Sequence, residues 1–390
     1  MSSTGVKIEV HLLQNFAPSN LNRDDTGQPK SATFGGFRRA RISSQCSKRS
    51  ARLMWRESGL ASVGERTKLL KQELAARLTA ESRTDEQIEK ALDTFLTQFY
   101  SKMDGKDTAK TAVLVLVSRQ EMDLVKDLIE LHWDLVSAGK KVEGREAKDV
   151  ASKLSRAEVS ADIALFGRML AEQPGRNTDG SCQVAHPIST HRVDMELDYF
   201  TAVDDLNPDD EPGAGMIGAI GFNSACFYRY ALVDRDQLAR NLARKTERTH
   251  GAWAEPLDTD DYAEADKVIR AFLEAMVYAI PTGKQNAFAA QNLPSFGLFV
   301  RREGGVPISL ANAFSTPVRP TRDDDDLVGR SVAALTRHWS EIGRTYSTQG
   351  VVATSCFHVG QEDRLNELSD ADSGTVESAI DAVLEDAEGQ

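Results

Sequence analysis

The chain has 390 residues, 41% hydrophobic and 27% charged, enough to bury a real core and too many for one minimal domain. Its longest apolar runs, 112–117 and 275–280, fall far short of a membrane span, and residues 1–10 lack the pattern of a secretory signal. Four cysteines (Cys46, Cys182, Cys226, Cys356) spaced 136, 44 and 130 residues apart offer no zinc knuckle and no disulfide framework, so a reduced, cytoplasmic protein is expected.

Residues 6–13 alternate, with Val6, Ile8 and Val10 on one side and Lys7, Glu9 and His11 on the other, which predicts a β-strand. Residues 16–36 hold Pro18, Pro29 and the Gly35-Gly36 pair and predict a long loop, which in a compact domain is functional or disordered. Ser43 and Ser44 supply an N-cap for a helix running to about Glu57 and closed by Ser58-Gly59. Apolar spacing then predicts helices over 65–78, 85–101, 121–137 and 157–170, interrupted by a strand-like run at 112–117. From residue 185 strand signals dominate, with helices at 234–245, 263–277 and 324–343 and an acidic one at 370–388. The sum is an α+β domain split by a helical insertion.

Residues 193–199 alternate strictly, apolar at odd positions and acidic at even ones. A polar turn, 204–215, and a Gly-spaced apolar stretch, 216–222, complete a long β-hairpin. Eight acids and no base lie between Asp194 and Glu211, so this arm cannot grip phosphates by charge. It touches nucleic acid through Met195, Tyr199 and Phe200 or backbone groups, or it simply packs on its own domain.

The net charge of −12 argues against a nucleic-acid binder until its distribution is considered. Residues 23–56 carry nine Lys/Arg (Arg23, Lys30, Arg38, Arg39, Arg41, Lys48, Arg49, Arg52, Arg56) against Asp24 and Asp25, a local +7 that leaves the remainder at −19. Gln45, Arg49, Arg52 and Arg56 recur at helical spacing as one polar stripe with Lys48 beside it. Such a stripe beside a hydroxyl-rich helix start is a phosphate track, and without an aromatic platform it holds backbone rather than reading bases. The competing reading is a solvated Arg-rich surface.

Catalysis has little support. The seven histidines form no HExxH, HxxxH or HD pattern, and no metal site or cofactor is expected. Asp24 and Asp25 could bind Mg²⁺ in a phosphodiesterase, but no third carboxylate follows at a convincing spacing. Asp323–Asp326 favour a helix N-terminus. The run Pro281-Thr282-Gly283-Lys284-Gln285-Asn286 either holds a phosphate or is a plain loop.

These residues carry a resemblance. The run Pro18-Ser19-Asn20-Leu21-Asn22-Arg23-Asp24-Asp25, then Phe34-Gly35-Gly36, Arg38-Arg39-Ala40-Arg41-Ile42-Ser43-Ser44-Gln45 and Lys48-Arg49, resembles the N-terminal signature of the CasC family. CasC is the repeated backbone subunit of the type I-E CRISPR Cascade complex. The likeness continues through residues 162–169, 186–194, 200–206, 227–230 and 283–285, while 57–158 and the last forty residues match only in character. Ser47 stands where the family pattern leads one to expect a bulkier apolar residue.

The resemblance implies an RRM-like palm (1–59 and 182–390), helical fingers (60–181) and a protruding β-hairpin thumb (193–222). It implies copies stacked along a guide RNA, each palm holding RNA backbone while a neighbour's thumb displaces a base at intervals. It puts Lys30, Ser43, Gln45, Lys48 and Arg52 on the RNA backbone, Met169 against bases, Tyr199, Phe200 and Thr201 near the displaced nucleotide, and Lys284 as a further contact. Arg23 and Arg49 join these from the charge pattern. Implied partners are CRISPR guide RNA, further copies of the chain, other Cascade subunits and target DNA paired to the guide, with no membrane. The alternatives are a metal-dependent ribonuclease using Asp24 and Asp25, and a plain scaffold with a solvated basic patch.

Overall fold

The computed structural model describes residues 5–79, 83–170, 172–202, 216–319, 326–347 and 350–385. The chain divides into two compact units, one of Met1–Met54, Gln183–Val233 and Arg270–Gln390, the other of Trp55–Cys182 and Asp234–Ile269. The architecture is α+β. No helix among the described residues is long and apolar enough to cross a membrane.

The first unit is organised by strand Val6–Ser19, which pairs antiparallel with Phe296–Glu303, Val10 standing opposite Phe299. Phe296–Glu303 pairs in turn with Val351–His358. On its other side Val6–Ser19 lies beside the long strand Met216–Asp234, with Phe16 at Ser224 and His11 at Tyr230, so those two strands also run in opposite senses. Ile188–Ser189 and Glu196–Ala202 pair antiparallel with successive parts of Met216–Asp234. With helices Ser44–Ser58 and Thr259–Tyr278 between them, the strands follow a β–α–β–β–α–β path, and the last strand returns beside the first.

The first strand runs six residues beyond its expected end at Leu13, because Phe16 is buried and its carbonyl accepts the Ser224 hydroxyl. The stretch expected as a loop over 16–36 is therefore partly strand. It also enters a hairpin, Ser31–Phe34 against Phe37–Ala40, which turns through Gly35 and Gly36 at φ +58° and +82°.

Both faces of the first strand are buried. Leu13 joins Phe296, Leu298, Val300 and Tyr228 in a cluster with Val332 and Leu335 of helix Leu327–Tyr346, so that helix covers one face. On the same face Glu9 and His11 are fully buried. Glu9 Oε1 accepts Arg302 Nε at 3.1 Å and the Ile308 amide at 3.2 Å, and His11 Nδ1 meets the Tyr228 hydroxyl at 2.9 Å. A buried charge survives only when paired and hydrogen-bonded, which is what Arg302 provides.

The second unit is mostly helical, with Leu70–Leu78, Asp85–Phe99, Arg119–Leu131, Trp133–Val136 and Gly144–Ser155 around one apolar cluster and Ala161–Phe166 following them. The expected helix at 65–78 begins instead as strand Glu65–Thr67, paired with Val115–Val117. The one expected over 157–170 shrinks to Ala161–Phe166, because Gly167 takes φ +81° with backbone crowding the place of a Cβ. Helix Gly144–Ser155 was not foreseen. At the centre sits the buried carboxylate Glu121, which accepts the Tyr100 hydroxyl at 2.9 Å, Arg168 at 2.5 Å and Arg176. Asp234–Ile269, expected within the palm, clusters with this unit.

Replacing Glu9 with Leu leaves the Arg302 guanidinium in the core without its carboxylate. The expected cost is about 3–5 kcal/mol, seen as a lowered midpoint of chemical unfolding.

Candidate nucleic-acid interface

The motif Ser19–Asp25 builds its own loop. Asp24 Oδ1 accepts the Thr26 hydroxyl at 2.8 Å and the amides of Thr26 and Gln28 at 2.9 Å. The Thr26 hydroxyl, with help from those amides and Lys30, holds the Asp24 carboxyl below its ordinary pKa. Asn20 Nδ2 donates to Gly27 and Gly221 carbonyls, tying the loop to the hairpin strand, and Asn22 Oδ1 accepts the Ser43 amide at 2.8 Å. Much of the motif's chemistry thus goes into shaping the loop that presents Arg23, which is exposed.

Beneath the loop Phe16, Leu21, Ala40, Ile42, Val193, Ala225, Phe227 and Ala290 form one buried cluster, with Cys46 and Ile280 packed against it. It fastens together the loop, the start of the basic helix, the root of the hairpin and the segment before Lys284.

Helix Ser44–Ser58 starts where expected. Ser43 is its cap: the Cys46 amide donates to Ser43 Oγ at 3.2 Å, and Ser43 is buried. Ser47, Ser50, Ala51 and Trp55 face inward, so the small Ser47 occupies a buried position. Gln45 and Arg49 are exposed, and Lys48 and Arg52 are half-buried. Arg49 Nη1 donates to Thr282 Oγ1 at 3.3 Å. Together Leu21–Asp25, Gly27, Cys46, Arg49, Ser50, Thr282 and Gly283 line a cleft of about 420 Å³. Gly283 sits so close to the loop that a Cβ would lie 2.2 Å from the Leu21 carbonyl oxygen. Lys284 follows at φ +52°, half-buried, at the start of the short helix Gln285–Phe288.

Not every arginine of the basic segment faces this cleft. Arg39 is fully buried and donates to the carbonyls of Ser189, Phe314 and Ser315, a structural role that sequence cannot separate from that of exposed Arg38. Arg56, in the second unit, pairs with Glu65 at 3.0 Å. Arg41 donates to His186 Nδ1 at 2.7 Å, a contact that spacing could not foresee. Both nitrogens of His191 are engaged, one with the Arg192 carbonyl and one with the Cys226 amide. Among the described residues no group of three or more His, Cys, Asp or Glu could hold a metal ion.

In the hairpin Glu196 pairs with Phe222, Tyr199 with Ala219 and Phe200 with Gly218. Leu197 and Tyr199 are 45% and 71% exposed, so the apolar face is turned to solvent rather than buried on its own unit. Thr201 is exposed, whereas the Phe200 ring lies over Gly218, where a Cβ would come within 2.3 Å of it. The expected turn at 204–215 lies outside the described residues. Met169, in the second unit, is 85% exposed beside Arg168, whose guanidinium is pinned to Glu121 and the carbonyls of Leu116 and Arg176.

The family model described as CT1975-like protein matches residues 8–385. One chain of a solved structure described as a CRISPR RNA-guided surveillance complex, pre-nicking, is 28% identical over 97% of this chain and 99% of its own, with a TM-score of 0.83. A chain of a second structure, described as a CRISPR RNA-guided surveillance complex, is 23% identical over the same shares, with a TM-score of 0.73, and shares the fold. No curated protein matches the sequence.

Gly283→Ala should force the 282–284 segment off the Leu21 loop and cost about 1–3 kcal/mol by overpacking. Gly105→Ala, with no atom within 4 Å of its added Cβ, should leave the unfolding midpoint unchanged.

Proposed function

Because the chain belongs to the CT1975-like family, we propose that it is a non-catalytic RNA-binding subunit of a CRISPR RNA-guided surveillance complex, and specifically its repeated backbone subunit of the type I-E kind. The observation that carries this is the site itself: an exposed, cation-rich loop and helix start on an otherwise acidic chain, in a fold that aligns end to end with a subunit of such a complex. In this proposal residues 1–59 and 182–390, apart from the 234–269 segment that clusters with the helical unit, form the RRM-like palm, 60–181 the fingers and 193–222 the thumb.

The mechanism follows from what the surface offers. Arg23, Lys30, Gln45, Lys48, Arg49, Arg52 and Lys284 meet phosphate and ribose groups by charge and hydrogen bonding, and Ser43 shapes the helix start that meets the same backbone. Such contacts are indifferent to sequence, as a track for any guide must be, and sequence is read by pairing between guide and target DNA. The acidic hairpin repels phosphate, so its exposed Leu197 and Tyr199, with Phe200 and Thr201, act on bases instead, as does Met169. Further copies of the chain and other subunits complete the assembly in the cytoplasm.

The absence of catalysis in this proposal is supported by Asp24, whose Oδ1 already accepts three hydrogen bonds from its own loop. Purified protein incubated with labelled RNA and Mg²⁺ should leave the RNA intact; cleavage that Asp24→Asn abolishes would instead make it a nuclease.

Two outcomes test the binding surfaces. Lys48→Gln with Arg52→Gln should weaken binding equally for unrelated RNAs and flatten the salt dependence by about 0.7 per lost phosphate contact. Phe200→Ala should keep single-copy affinity but abolish the periodic nucleotide exposure of copies assembled on a long RNA. A mutant assembly with unchanged periodicity removes the hairpin from that role.

A further inference from the structure

Beside the helix start three chain segments are laid together by backbone hydrogen bonds. The Arg41 amide donates to the Lys30 carbonyl at 3.0 Å, the Ile42 amide donates to the Pro187 carbonyl at 3.0 Å, and Arg41 forms an isolated bridge with Ile188. This brings Lys30, Arg41 and His186 to one place. Arg41 Nη1 donates to His186 Nδ1 at 2.7 Å, and neither Arg41 nor Lys30 makes an ion pair with a carboxylate among the described residues. His186 is exposed and Arg41 and Lys30 are half-buried, so the group is open to a ligand.

The arrangement is electrostatically incomplete. An arginine that donates to Nδ1 requires that nitrogen to carry a lone pair, leaving the imidazole neutral with its proton on Nε2. Two cations thus act on a neutral histidine, and only Asp24, which Lys30 helps hold in its charged form without an ion pair, offsets part of their charge.

Resting on the RNA-binding function proposed above, we propose that Lys30, Arg41 and His186 form a further phosphate subsite continuous with the basic helix, and that His186 takes up a proton as an RNA phosphodiester binds there. Arg41 and Lys30 supply the fixed positive charge and His186 supplies Nε2–H; when the phosphate draws Arg41 Nη1 away from Nδ1, that nitrogen is freed to take the proton and the imidazole gains a full charge.

In the free protein desolvation, then Arg41, then Lys30, hold the His186 pKa below its ordinary value, and these two are the charged groups that act on it. A bound phosphodiester opposes both and moves that pKa up. A group whose pKa rises on binding tightens the complex as pH falls through the interval between its free and bound values, about tenfold for each unit of difference.

The probe is an end-labelled oligouridylate, whose bases do not titrate between pH 5.5 and 8, measured by filter binding at constant ionic strength. Wild-type affinity should rise several-fold from pH 8 to pH 5.5. His186→Gln should lose that rise, its deficit against wild type growing from pH 8 to pH 5.5, and Arg41→Gln should weaken binding at both pH values. In parallel the His186 ring resonance of wild-type protein should titrate at a higher pH with oligouridylate present than without. A His186→Gln variant with the wild-type pH profile, or a ring resonance whose titration ignores the RNA, overturns the subsite and leaves RNA binding standing. Wild-type protein that binds oligouridylate at no pH overturns the RNA-binding function and the subsite with it.

Discussion

Both faces of the first strand are buried, and the position of the basic cleft follows from that. A four-stranded RNA-binding sheet offers an open face on which aromatic side chains stack bases. Here that option is closed: Tyr228 and Tyr230 are buried, Tyr228 in contact with Phe314 and its hydroxyl with the Leu310 amide. Burial pushes both phenols far above their usual pKa, so they are neutral components of the core. In the proposed function recognition falls instead to the loop Ser19–Lys30, the start of the basic helix and the 282–284 segment, all of which rest on the small cluster around Phe16, Leu21 and Ile42. Contacts drawn from loops and helix ends grip a backbone well and read bases poorly.

The same covering explains why polar groups sit so deep. Arg229 is buried with Gln14 Oε1 accepting from it at 2.6 Å, and burial pulls its guanidinium down to about 10. Gln14 in turn donates to the Asn292 carbonyl at 2.6 Å, and the Ala17 amide donates to Asn292 Oδ1. A network of this kind fixes the segment that follows Lys284 against the first strand, because any slip leaves a buried donor without an acceptor.

Much of this was legible in the sequence where local chemistry decides the outcome. The cap at Ser43, the end of the helix at Ser58-Gly59, the alternation of the first strand and the pairing of 196–202 with 216–222 all depend on residues close in the chain. What was not legible depends on distant partners. Arg39 reads like Arg38 until the Ser189, Phe314 and Ser315 carbonyls arrive to accept its hydrogen bonds, and Arg56 reads like Arg49 until Glu65 pairs with it. Glu65–Thr67 is written as helix by spacing and becomes strand because Val115–Val117 lies beside it. Asp234–Ile269 carries no composition signal for the unit it joins.

The anchoring of Arg39 has a kinetic corollary. The hairpin at Ser31–Ala40 is held by Arg39 to the Phe314 and Ser315 carbonyls, and Gly35 is pressed so tightly on Ser315 that a Cβ would lie 1.8 Å from its carbonyl oxygen. The first strand likewise finds its partners only at Met216–Asp234 and Phe296–Glu303. During synthesis, then, the basic segment 23–56 leaves the ribosome long before the chain that shapes it, and its loop closures span nearly three hundred residues. The second unit, whose first 128 residues (Trp55–Cys182) are contiguous, can begin to fold while the first waits. The surface proposed to grip a guide is thus among the last parts of the molecule to exist, and on that proposal a nascent chain is shielded from premature capture of RNA by the length of its own fold.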